Sequence, residues 1–67
     1  MITEIGIVAG EIWHYLDKKL KASTLDDIVN AIDKGRDVIL MSIGWLAREG
    51  HIVLEKENGN YQVTLRK

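Results

Sequence analysis

Cysteine is absent from this chain, and so are proline and phenylalanine. Without cysteine there are no disulfide staples, no thiolate-bound zinc and no iron–sulfur ligation. That absence also fits a reducing, cytoplasmic setting. Net charge is nearly absent too, at −1. Stand-alone nucleic-acid binders are commonly strongly basic, so any affinity for phosphate here must come from a local patch. No stretch approaches the roughly 18 apolar residues of a membrane span. The opening "MITEIGIVAGEIW" lacks a basic region and carries Glu4 and Glu11, so no secretory leader is expected. Linkers, repeats and low-complexity tracts are missing as well, so one domain over residues 1–67 is the simplest organisation.

What remains is a short chain of 67 residues. A core of that size is marginal alone and usually needs disulfides, a metal or a partner chain. Cysteines are lacking, and the two histidines give little basis for a metal. Self-association is therefore the expected support.

Hydrophobic spacing predicts three helices. In the first, Ile5, Val8, Ala9, Ile12, Tyr15 and Leu16 form one stripe flanked by Trp13. Thr3 is the expected cap, and Lys18, Lys19 and Lys21 mark the exit. Ala22 and Ser23 offer a brief extended piece. Thr24 with Asp27 resembles a capping box and opens a short helix bearing Leu25, Ile28, Val29 and Ile32. "DKGR" (33–36) reads as a turn in which Gly35 is free to adopt positive φ. The third helix spans about Asp37 to Glu49, with Gly50 as its C′ residue.

"HIVLEKENGNYQVTLRK" then reads as a hairpin turned by Asn58-Gly59. With that pair at the tip, Ile52 faces Leu65, Leu54 faces Val63 and Lys56 faces Tyr61. Every large apolar residue of the two strands except Val53 then shares one face, and a slip of one residue would destroy the agreement. Three helices followed by a hairpin give an α+β, winged helix-turn-helix layout, whose third helix ordinarily enters the major groove.

"AGEIWHYL" (9–16) and "IGWLAREGHI" (43–52) carry a closer likeness. Ala9, Gly10, Trp13 and Leu16, with Gly44, Trp45, Leu46, Ala47, Arg48, Glu49 and Gly50, resemble a family of short, stand-alone winged helix-turn-helix proteins of bacteria and archaea whose function is unknown. The resemblance implies the fold over nearly the whole chain and a small homodimer. It implies no biochemical activity.

The third helix is oily on two sides. At 100° per residue with Ile43 at zero, Ile39, Leu40, Leu46 and Ala47 fall within about 60° and are expected to pack on the other helices. Val38, Met41 and Trp45 lie at about 220°, 160° and 200°, bordered by Arg48, Asp37 and Glu49 and close to Gly44. Either the hairpin covers this second stripe or another chain does. Trp and Met are enriched at interface centres, and a bare patch of them invites aggregation. Val38, Met41, Gly44, Trp45 and Arg48 are therefore the candidate protein contacts. Gly44, together with Gly6 and Gly10 in the first helix, would admit a close backbone.

Base edges want forked or amide donors, and among the outward residues only Arg48 qualifies. Asp37 would repel phosphate. Neutralising phosphates would fall to Lys34, Arg36, Arg48 and Lys56, with Arg66 and Lys67. His14 and His51, even beside Glu11 or Glu55, read as ordinary surface residues, so no metal site is assigned. Asp26 and Asp27 are explained as dipole partners at a helix start. Ser23 and Ser42 lack a base and an orienting group. No cofactor or small-molecule substrate is implied, and an enzyme is not expected. Two readings survive: a homodimeric interaction module using the third helix for protein contact, and a dimeric DNA-binding transcription regulator using that helix and the wing. Side-chain chemistry favours the first.

Overall fold

The computed structural model describes residues 1–19 and 22–66. Lys21 at the first helix's exit and Lys67 among the expected phosphate contacts lie outside them. The elements run α1 (Ile2–Lys18), β1 (Ser23–Thr24), α2 (Leu25–Ala31), α3 (Arg36–Arg48), β2 (Ile52–Glu57) and β3 (Asn60–Leu65). The strands form one antiparallel sheet in the order β1-β3-β2.

α1 begins at Ile2 behind Met1, which makes no side-chain capping bond. Thr3 is thus inside the helix rather than its cap. Val8, Ala9, Ile12 and Leu16 are buried as their spacing requires, with Ile5 and Tyr15 partly covered against them. α2 owes its start to Thr24. Its hydroxyl accepts from Asp27 N at 3.0 Å, and the Asp27 carboxylate accepts from Thr24 N at 3.2 Å. The two bonds satisfy donors that a helix start otherwise leaves orphaned. Gly35 does not use its conformational freedom: it caps α3 at φ −62°.

α3 ends in a Schellman motif. Gly50 N donates to Ala47 O and His51 N to Leu46 O, which requires the left-handed φ of +80° at Gly50. This stop aims the chain directly into β2. At the far end of the hairpin Asn58 and Gly59 take φ of 53° and 85°, the pair of positive angles that a two-residue hairpin turn with right-handed twist demands. The resulting register pairs Ile52 with Leu65, Leu54 with Val63 and Lys56 with Tyr61, as the alternation predicts. Val63 sits on the central strand and is fully buried. Leu54 shares its face but lies on the edge strand β2, and it stays 39% exposed.

The core joins α1, α2, α3 and the sheet, with Ile12, Ile28, Ile39, Val8 and Val63 at its centre. α3 is rotated relative to the sequence expectation. Its buried residues are Val38, Ile39, Ser42, Ile43 and Leu46, an arc centred about 70° from the one predicted. Ser42 is the cause. Its hydroxyl donates to the Val38 carbonyl at 2.7 Å, with the Ile5 carbonyl of α1 a second acceptor at 3.1 Å. A hydroxyl satisfied in this way is buried at little cost, so a polar residue takes a core position. Val38 comes in with it at 7% exposure. That corrects its assignment to the outward stripe.

Candidate protein interaction face

Rotating α3 inward at Val38 leaves Met41 and Trp45 outward, 41% and 46% exposed. Gly44 and Arg48 are exposed beside them, and Asp37 lies in the first turn. Of the residues expected on this side, the fold keeps Met41, Gly44, Trp45 and Arg48 together and removes Val38.

Helix α1 contributes the other half of the face. α1 and α3 pack side by side, and their seam is open to solvent. Gly6, Ala9 and Gly10 line it from α1, Trp45 and Leu46 from α3, and Trp13 and His51 close it, enclosing about 240 Å³. A second hollow of about 350 Å³ continues along the seam between Ile2, Ile5, Gly6 and Trp45. Gly6 and Trp45 line both, so the two form one trough. Ile2, at its far end, is 87% exposed. The trough is apolar, with His51 the only ionisable side chain lining it among the described residues.

Each tryptophan has an imidazole neighbour. The Trp45 ring lies 6.1 Å from that of His51, tilted by 39°. Trp13 meets His14 edge to face at 5.6 Å. A Cβ built on Gly6, Gly10 or Gly44 would meet nothing within 4 Å. Folding of the single chain therefore does not call for glycine at these places, although each costs a helix about 1 kcal/mol relative to alanine.

From the sequence, Trp13 stood out as a flank of the first helix's stripe and as part of the family likeness, not as an interface residue, and Ile2 was missed. A signal was present. On a helical wheel Ile2, Gly6, Gly10 and Trp13 span only about 80°, a second face beside the buried one.

The candidate phosphate-binding cations are dispersed. Lys34 pairs with Glu11 at 3.8 Å. Arg36 opens α3 and Arg48 closes it, roughly 18 Å apart along the axis and about 120° apart around it. Lys56 lies in the wing, its ammonium 5.9 Å from the Tyr61 ring centroid. Among the described residues, no three His, Asp or Glu side chains gather as a metal would need, and no helix is long and apolar enough to cross a membrane.

Residues 1–65 match the family model described as a winged helix-turn-helix domain, DUF2582. An uncharacterised protein of Methanocaldococcus jannaschii is 33% identical over 64 residues, covering 94% of this chain and 91% of that protein. The solution NMR structure of a protein from Bacteroides thetaiotaomicron superposes with a TM-score of 0.80 at 25% identity, over 94% of this chain and 76% of that one.

Proposed function

This chain belongs to the winged helix-turn-helix family DUF2582, and from that premise we propose that it is a homodimeric interaction module, not an enzyme, whose third helix is turned to protein rather than to DNA. The observation that carries this reading is the outward side of α3. Where a DNA-reading helix carries Arg, Asn or Gln, the outward side of α3 exposes Met41 and Trp45, with Arg48 beside them at its C-terminal end, while Arg36, exposed in the first turn, lies about 120° round the helix from Arg48.

Electrostatics support the same reading. Non-specific duplex affinity comes from cations that neutralise several phosphates at once. Here Lys34 is engaged by Glu11, Asp37 stands in the first turn of α3, and Arg36 and Arg48 point to different quarters. An identical partner is the simplest occupant, because closed two-fold symmetry is the default among soluble oligomers.

Titration with random-sequence duplex at physiological salt tests the proposal. Binding no tighter than about 10⁻⁴ M, the weak end of non-specific association, is expected. Micromolar binding with a steep salt slope, lost on Arg48→Ala or Lys56→Ala, would overturn it in favour of a DNA-binding transcription regulator.

A further inference from the structure

We infer that a second copy of this chain docks its α1 antiparallel along the α1–α3 trough, so that Gly6 of each copy faces Gly10 of the other and Trp13 and Trp45 flank the crossing. This geometry rests on the homodimer proposed above and deepens it. It moves the centre of the interface from α3 to α1.

Trp13, Trp45 and Ile2, 37%, 46% and 87% exposed, line the trough, and Met41, 41% exposed, lies one turn before Trp45 on α3. Together they leave roughly 450 Å² of mostly apolar surface in water, at the 150–250 Å² that a large side chain can bury. A standard dimer covers about 800 Å² per partner, a little over half of it apolar. The bare surface therefore matches the apolar share of one complete interface.

Shape and charge then select the occupant. The trough is long, open and bounded by two indoles, with a floor at Gly6, Ala9 and Gly10 low enough for a helix backbone to settle on it. A two-fold axis through the midpoint of Gly6 and Gly10 places residue i opposite residue 16 − i. Ile2 and Thr3 then fall opposite His14 and Trp13 of the second copy, which covers the most exposed isoleucine with an aromatic. Glu4 and Glu11 lie about 120–140° round the helix from the centre of the glycine pair, so the like charges do not meet. Asp17 falls a turn beyond Trp13, outside the overlap. Antiparallel helices also oppose their dipoles favourably.

The chain's lack of cysteine makes cross-linking unambiguous. Gly6→Cys and Gly10→Cys are made separately, mixed and oxidised. The 6–10 heterodisulfide should form faster than either homodisulfide and at least tenfold faster than the link in Asn30→Cys, on the exposed side of α2. The double variant Gly6→Ala/Gly10→Ala provides the second readout. Added methyls meet nothing in the single chain and favour the helix, so they should raise thermal stability of the protomer while weakening dimerisation at least tenfold. A dimer in which the mixed cysteines link no faster than Asn30→Cys, or in which the alanines leave the dimer constant unchanged, overturns this docking and leaves the interaction module standing. A monomer at every concentration overturns both.

Discussion

The Ser42 hydroxyl sits 3.1 Å from the Ile5 carbonyl and ties α3 to α1 across 37 residues of chain. That contact lies on the buried side of α3, which also carries Val38, while Met41 and Trp45 stay outside. Ser42→Ala should lower stability by about 1 kcal/mol, the net worth of one buried hydrogen bond. Ser42→Leu, forced into a fully buried site, should cost 1–3 kcal/mol by overpacking. Urea denaturation at fixed protein concentration measures both, the fixed concentration being needed because association stabilises by mass action.

Val38 and Met41, three residues apart on one helix, should behave oppositely. Val38→Ala removes packing from a site 7% exposed and should cost about 2 kcal/mol. Met41→Ala should leave protomer stability within about 0.5 kcal/mol, as surface changes generally do. Denaturant midpoints at low concentration, where association does not contribute, check the pair.

Two turns carry independent predictions. Thr24→Ala removes one bond of the α2 capping box and should cost about 1 kcal/mol. Gly59→Val forces a branched side chain into φ +85° and should cost 1–2 kcal/mol or more. The first should loosen amide-exchange protection in α2, and the second should do so in the hairpin.

Much of this architecture is written in local chemistry. The hairpin register was legible because Asn58-Gly59 leaves few choices of turn and the alternation of Ile52, Leu54, Val63 and Leu65 agrees with only one pairing. Gly50 as the stop of α3 and Thr24 as the cap of α2 were legible for the same reason. The orientation of α3 was not. Hydrophobic periodicity counts a serine as solvent-facing, but Ser42 satisfies its hydroxyl on the Val38 carbonyl of its own helix, with the Ile5 carbonyl of α1 as a second acceptor, and the pattern of apolar spacing does not express that. The α1 half of the candidate face was legible only in part. Gly6 and Gly10 stood out as places for a close backbone, but glycines add nothing to a hydrophobic stripe and so do not say which face they belong to. They matter only once α3 places Trp45 beside them.

A second chain covering Trp45 is what the proposed function requires, and sedimentation equilibrium of the wild type beside Trp45→Glu measures it. A dimer at micromolar concentration is expected for the wild type. The variant should have the mass of a single chain and an unchanged circular dichroism spectrum, since the site is 46% exposed in the protomer. A wild type that stays monomeric, or a Trp45→Glu variant that keeps the dimer's mass, would contradict it.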